Sequence, residues 1–263
     1  MSDCFDSDFP AEDETMDPRL EQYVRCCPAE NDHGAVTLVG VAHDHPSSVA
    51  RVAHLLKTIS PDVLALELPP LAVPLFRQYA DDEYVPPRLG GEMSTAIQTA
   101  DDPRIVGIDG PSATYFRLLL WRMIAERSSM EDIAEVVRDV TRGVGHALAC
   151  RLGAVVGRLT PFTPKVYAHI AYDCASFDSP STQARHERNH VAERRAFLRV
   201  VELPPATALI DEVREESMAT RLTELRSTGD VVAIVGIEHL DDLAERLGGD
   251  TESPSGDDRI DHC

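Results

Sequence analysis

Two apolar segments of the sequence end in the same pattern, a glycine followed three residues later by a histidine. The pattern comprises Gly40 and His43 near the start of the chain, and Gly236 and His239 near its end. A glycine inside a buried strand usually marks the close approach of a ligand or of another backbone. A histidine at the C-terminal end of a parallel strand faces the crevice in which open α/β sheets bind ligands. Together the two segments predict one binding site, although a single such histidine is more often a capping or core residue.

A carboxylate occupies the corresponding end of another apolar segment. Glu67 lies near the end of Val63 to Leu68, and a carboxylate inside an otherwise apolar strand is costly to bury unless a cation satisfies it. Two imidazoles and one carboxylate at three strand ends form the ligand set of a catalytic divalent-metal site with an open position for water. The sequence therefore predicts that His43, Glu67 and His239 hold a divalent metal ion.

Two further polar residues are candidates for the same site. His45 lies in the loop after His43, where it could orient a metal ligand or cap the next helix. Asp109 ends another predicted strand and is either a polar group of the crevice or a turn residue before Gly110. The sequence leaves both alternatives open.

A rival motif lies elsewhere, because His186, Glu187 and His190 match the H-E-x-x-H pattern of zinc proteases. In that pattern two histidines one helical turn apart bind zinc and the glutamate is the general base. Such a helix needs a buried apolar face, whereas several arginines surround this segment. A zincin-like metalloprotease is therefore a minor alternative, and imidazoles in open solvent would exclude it.

Apolar runs rich in β-branched residues predict the strands that position these side chains. The predicted strands are Val36–Val41, Val63–Leu68, Arg104–Ile108 and Val231–Ile237. A helical pattern joins the first two, so they form a right-handed βαβ unit with parallel strands. The predicted fold class is α/β, with a largely parallel buried sheet flanked by helices and a helical insertion between the third strand and the closing helix–strand unit.

Helical patterns fill most of the remaining chain. Residues 112–199 are mostly helical by pattern, with a predicted break near Gly143, and the segment Thr207–Arg226 predicts a long amphipathic helix. The acidic ends, residues 1–33 and 249–263, lack periodicity and are expected to be disordered. The α/β domain is thus expected to span residues 34–248.

The composition restricts the partners and the compartment. The chain has 263 residues and a formal net charge of −20, a balance typical of proteins dissolved in concentrated salt. Such a surface repels phosphate groups, so we expect neither a nucleic-acid nor a membrane partner. The acidic N-terminus is unlike a signal peptide, and the six cysteines, which form no C-x-x-C pair, are interpreted as reduced thiols. We expect a cytoplasmic protein. The sequence leaves open whether it forms a homo-oligomer.

Three blocks of the sequence resemble the TraB/Tiki family, which is related to erythromycin-esterase-like and ChaN-like proteins. Val36 to Leu68 is similar to the family's opening, a strand with G-x-x-H, a Ser-Val helix and a strand that ends in Glu-Leu. Arg214 to Ala219 is similar to the family's Arg-acid-x-x-Met-Ala helix, and Ile234 to His239 matches the closing G-x-x-H. The blocks occur in the family's order.

This resemblance implies a metal-dependent hydrolase centre, with peptide cleavage the activity associated with the Tiki members. By analogy, His43, Glu67 and His239 would hold a divalent ion, for which manganese, cobalt and zinc are the candidates. Glu67 and Arg214 would be the catalytic residues, and Arg214 would bind a carboxylate or a developing oxyanion of a peptide or other small substrate. Because fold does not fix chemistry, a non-catalytic regulatory or ligand-binding protein is the alternative.

Overall fold

The computed structural model describes residues 17–29, 33–160, 162–166, 169–201 and 204–248. Within these residues the protein is an α/β structure with a five-stranded mixed sheet and eight helices. The strands are β1 (Val24–Cys27), β2 (Val36–Val41), β3 (Val63–Leu66), β4 (Arg104–Gly107) and β5 (Val231–Gly236). The helices are α1 (Pro46–Thr58), α2 (Val73–Ala80), α3 (Gly91–Thr99), α4 (Ala113–Ala125), α5 (Met130–Leu159), α6 (Pro180–Val200), α7 (Pro205–Arg226) and α8 (Ile237–Arg246).

The sheet has the strand order β1-β2-β5-β3-β4. Strand β1 pairs with β2 in antiparallel fashion, and the other neighbouring strands are parallel. The register places Val41 opposite Gly236, and it places Leu66 opposite both Ile234 and Gly107. The C-terminal ends of β2, β3, β4 and β5 therefore meet at one edge of the sheet, and the loops that follow them lie close together.

Helices cover both faces of the sheet because alternate residues of each strand point to opposite sides. In β5, Val232 and Ile234 belong to a core cluster with residues of α1, α2, α3 and α5, whereas Ala233 and Val235 belong to a cluster with residues of α7 and α8. A third cluster joins α4, α5 and α7 through residues such as Tyr115 and Val213. Burial on both faces explains why the central strands are apolar throughout.

The predicted fold class is confirmed, and three details of the prediction are corrected. Strand β1 lies in the N-terminal segment that was expected to be disordered, because backbone hydrogen bonds to β2 stabilise it as an edge strand. Helix α5 continues through Gly143, where a side chain would meet no atom within 4 Å, so this glycine marks no turn. Helix α8 begins at Ile237, which places His239 in its first turn. Residues 1–16, 30–32 and 249–263 of the expected disordered ends lie outside the described residues.

Two further findings concern the cysteines and the character of the helices. Cys26 takes part in a disulfide bond, so the expectation that all six cysteines are reduced was wrong for this residue, whereas Cys150 and Cys174 are free thiols. Sequence spacing could not reveal this, because a disulfide partner is brought close by folding and not by neighbouring positions. In the described part of the chain, none of the helices combines the length and the apolar character needed to cross a bilayer.

Candidate functional site

Glu67 lies at the centre of the strand edge, directly after β3, and only 6% of its side chain is exposed. Its Oε2 atom accepts a hydrogen bond of 2.6 Å from the backbone N–H of Gly236. A Cβ atom at Gly236 would lie 3.0 Å from the Glu238 side chain and 3.4 Å from the Glu67 carboxylate. The groups that approach Gly236 closely are thus the carboxylates of Glu238 and Glu67, and not the backbone or ligand that its position in the strand predicted.

Arg214 extends from α7 to the same edge, where two carboxylates hold its guanidinium group. Its Nε and Nη2 atoms donate to the two carboxylate oxygens of Asp109 at 3.1 and 3.0 Å, and Nη2 also donates to Oε1 of Glu67 at 3.0 Å. Burial lowers the pKa of Arg214, but the charges of Asp109 and Glu67 outweigh this effect and raise it. Asp109 is therefore a polar group of the site and not only a turn residue.

His239 faces Glu67 from the first turn of α8. Its Nε2 atom lies 3.6 Å from Oε1 of Glu67, and its Nδ1 atom lies 2.9 Å from Oε1 of Glu215. Burial lowers the pKa of His239, whereas the hydrogen bond with Glu215 and the charge of Glu67 raise it, and the net effect is an increase. Burial also raises the pKa of Glu67, although His239 and Arg214 oppose this increase.

His43 lies at the mouth of the site, with 46% of its side chain exposed. Its Nδ1 atom forms a 2.6 Å hydrogen bond with Oε1 of Glu92, a buried residue of α3. The other oxygen of Glu92 accepts the backbone N–H of Asp44 at 2.9 Å. The hydrogen bond that His43 donates to Glu92 raises the pKa of His43 to about 9 despite the opposing effect of burial. The imidazole is therefore positioned by a carboxylate that sequence analysis did not single out.

The two strand-end histidines share one arrangement, since a carboxylate binds the Nδ1 atom of each. Glu92 binds His43 and Glu215 binds His239, so the Nε2 atom of each imidazole is the one left for a ligand. Histidines that bind metals through one nitrogen typically have a carboxylate on the other, which fixes the orientation of the ring. The donor chemistry around Glu67 thus suits a divalent metal ion.

A cavity of about 470 Å³ opens beside these groups and is lined by His43, Glu67, Asp109 and Arg214. Its other lining residues include Asp44, Phe76, Met93, Tyr115, His146 and Ile170. The volume is within the range typical of small-molecule sites. The lining thus combines the charged strand-end groups with apolar and aromatic side chains.

The ligand atoms of His43, Glu67 and His239 are not all close together. Among the described residues, His45, Cys174 and His186 each offer one potential ligand atom, and these three atoms all lie within 4.8 Å of one another. The strand-end residues do not form such a group. Within the described part of the chain, the compact cluster that could hold a metal ion thus lies at a place that sequence analysis did not predict as a whole.

For Gly40 and His45 the structure supports one of the two roles that the sequence left open. A Cβ atom at Gly40 would lie 2.9 Å from the Leu240 side chain and 3.2 Å from the backbone oxygen of Tyr23, so this glycine marks the close approach of another backbone. His45 is completely buried, caps α1 by accepting the backbone N–H of Ser47 at 3.1 Å, and is 3.0 Å from His186. Burial lowers the pKa of His45 to about 4, so its imidazole is neutral at physiological pH.

The H-E-x-x-H segment lies in α6, where neither histidine is in open solvent. Glu187, the residue that would act as the base, is buried, forms an ion pair with Arg51 and accepts the hydroxyl of Ser48 at 2.5 Å. His190 packs against the edge of the Tyr172 ring and does not join the compact cluster of His186. This geometry does not favour the zincin interpretation, because the glutamate is needed to neutralise a buried arginine.

Comparisons of the chain with protein-family models, with curated proteins and with solved structures found no match.

Proposed function

We propose that this protein is a metal-dependent hydrolase of the TraB/Tiki type that acts on a peptide or another small substrate. The observation that carries the proposal is the arrangement around Glu67, a buried carboxylate that faces His239 and Arg214 at the wall of a 470 Å³ cavity. Buried carboxylates of raised pKa in clefts are typical of functional sites, since burying such a group is costly for stability.

In this proposal His43, Glu67 and His239 would hold the metal ion, and His43 would have to move toward the other two, because the three ligand atoms do not all lie within 4.8 Å of one another. Two imidazoles and a carboxylate suit manganese, cobalt or zinc, and the pairs with Glu92 and Glu215 would keep the two rings oriented. When bound, the ion would act as a Lewis acid and lower the pKa of a coordinated water toward about 7.

Arg214 would bind the anionic group of the substrate. Asp109 and Glu67 fix its Nε and Nη2 atoms, whereas Nη1 contacts Asp211 at 3.5 Å, which is longer than an ordinary hydrogen bond. The Nη1 donors can therefore serve a carboxylate or a developing oxyanion in the cavity. Because Asp109 offsets the positive charge, Arg214 can lie next to a metal site without a large penalty.

A non-catalytic ligand-binding protein is the second candidate, and one specific observation favours it. Oε1 of Glu67 already contacts both Arg214 and His239, so the protein itself satisfies this carboxylate. A centre of this kind can bind a ligand in the cavity without the open metal position that hydrolysis needs.

The test compares Glu67→Gln with the wild type and with Glu224→Gln, which alters an exposed glutamate of α7 that pairs with Arg221. Each protein is incubated with Mn²⁺, Co²⁺ or Zn²⁺ and a mixed peptide library, and cleavage is followed by mass spectrometry. We expect metal-dependent cleavage by the wild type and the control, and a loss of at least about 100-fold in Glu67→Gln.

Metal analysis completes the test, because His43→Ala should contain less bound metal than the wild type at equal protein concentration. Cleavage by Glu67→Gln at the wild-type rate would contradict the proposal. Peptide binding by the wild type without cleavage under any of the metals would favour the ligand-binding alternative.

A further inference from the structure

We propose that His45, Cys174 and His186 form a zinc site that is separate from the strand-end site and does not depend on the proposed hydrolase activity. Each side chain offers one ligand atom, and these three atoms all lie within 4.8 Å of one another. One thiolate and two imidazoles are the donors that zinc prefers, and sulfur distinguishes this set from the nitrogen and oxygen donors around Glu67.

The three ligands come from distant parts of the chain. His45 lies in the turn between β2 and α1, Cys174 lies in the segment between α5 and α6, and His186 lies within α6. His45 is completely buried and Cys174 retains 8% of its exposure. A metal ion here would therefore cross-link three elements that no continuous secondary structure joins.

Binding requires two changes at His45. Its Nε2 atom is 3.0 Å from Nδ1 of His186, whereas ligand atoms around tetrahedral zinc are about 3.3–3.8 Å apart, so the two rings must separate slightly. Ser47 donates its backbone N–H to Nδ1 of His45, so Nε2 carries the ring proton in the metal-free form. Zinc at Nε2 moves this proton to Nδ1 and ends the hydrogen bond from Ser47.

The cluster would also determine the position of the turn that carries His43. Two residues before Cys174, the hydroxyl of Tyr172 donates to the backbone oxygen of His43 at 2.8 Å. The backbone N–H of Ile170 donates to Asp44 at 2.9 Å in the same segment. Zinc would hold this segment in place against the turn that carries His43.

Cobalt is the probe for the test, because tetrahedral Co²⁺ absorbs in the visible range and a bound thiolate adds a sulfur-to-metal charge-transfer band in the near ultraviolet. Co²⁺ is titrated into reduced, metal-free protein. The wild type should develop the charge-transfer band as one equivalent of Co²⁺ binds at this site, and Zn²⁺ should abolish the band. Co²⁺ at the strand-end site, which has no thiolate, would add visible absorption alone. Cys174→Ser should lose the charge-transfer band.

Cys150→Ser is the matched control, since Cys150 is a buried free thiol that lies 3.6 Å from His146 and does not belong to the compact cluster. This variant should keep the band, as should Glu67→Gln, which separates the zinc site from the proposed hydrolytic centre. His186→Gln should weaken Co²⁺ binding, and circular dichroism checks the fold of every variant.

If Cys174→Ser does not fold, a second measurement on the wild type tests the zinc site instead. Zn²⁺ should protect Cys174 of the wild type from alkylation, detected by peptide mass spectrometry, and should shift the ring proton of His45 to Nδ1, detected by nitrogen NMR. A wild type without a charge-transfer band, a band that persists in folded Cys174→Ser, or alkylation of Cys174 at an equal rate with and without Zn²⁺ would overturn the proposal.

Discussion

The buried ion pair between Arg51 of α1 and Glu187 of α6 gives a stability prediction. Each side chain retains 1% of its exposure. Arg51 also donates to the backbone oxygens of Arg19 and Gly40, each at 2.7 Å, and Glu187 accepts the hydroxyl of Ser48. We expect Glu187→Ala to destabilise the protein strongly, because it leaves a guanidinium charge buried without a counter-charge.

The expected magnitude follows from these contacts. Breaking a buried ion pair by removing one partner costs about 3–5 kcal/mol, which is a large fraction of a typical stability of about 5–15 kcal/mol. Replacing both partners, as in Arg51→Met with Glu187→Leu, removes the unpaired charge. The double variant then loses mainly two hydrogen bonds to backbone oxygens, at about 1 kcal/mol each. It should therefore be about 2 kcal/mol more stable than Glu187→Ala.

Urea unfolding followed by circular dichroism measures these differences directly. Glu193→Ala is the control, since Glu193 is exposed on the same helix and its removal should change the free energy of unfolding by less than about 0.5 kcal/mol. A loss below about 1 kcal/mol in Glu187→Ala would refute the reasoning, as would a double variant no more stable than the single one. Unchanged peptide cleavage by folded Glu187→Ala would also argue against the zincin alternative.

Three further predictions address the site and the surface. Arg214→Ala should lower any hydrolytic rate at least about 100-fold and leave the amount of bound metal unchanged. Arg214→Lys should recover little of the rate, because an ammonium group lacks the bidentate fork of a guanidinium group. Full activity in Arg214→Ala would contradict the role assigned to Arg214. In metal-free protein, His43 should titrate in NMR spectra near pH 9. Because this value exceeds the unfolded pKa of about 6.5, the stabilisation that the pair of His43 and Glu92 gives the fold is complete below pH 6.5 and is lost as the pH rises through 9. If the free energy of unfolding of His43→Ala depended on pH in the same way as that of the wild type, this prediction would be wrong. Raising KCl from 0.1 to 1 M should raise the melting temperature, because the screening length for repulsion between acidic groups shortens from about 10 to about 3 Å. An unchanged melting temperature would count against repulsion on the acidic surface.

The central strands could be predicted because burial on both faces requires a continuous apolar run. The prediction gave β2 its observed bounds, and β5 differed by one residue. Strand β1 has no such signature, because Val24–Cys27 is short, contains Arg25 and follows an acidic segment. Its pairing with β2 is a tertiary effect that local composition does not encode.

The strand-end site could be predicted in part for a similar reason. Glu67 follows β3 directly and Asp109 lies two residues after β4, so the sheet alone brings them to one edge. The contact between Glu92 and His43 depends instead on how α3 packs. An acidic residue in the first turn of a helix is common and gave no sign of this role. The contact between His45 and His186 spans 141 residues, and neither residue alone indicates the other.

The position of β5 in the sheet has a consequence for synthesis of the chain. This strand comes last in sequence but lies between β2 and β3, and these two strands do not pair directly with each other. Until residues 231–236 have emerged from the ribosome, the nascent chain cannot complete the sheet. The unpaired edges of β2 and β3 are then exposed to non-native strand pairing. His239 follows β5, so the strand-end site also forms only at this final step.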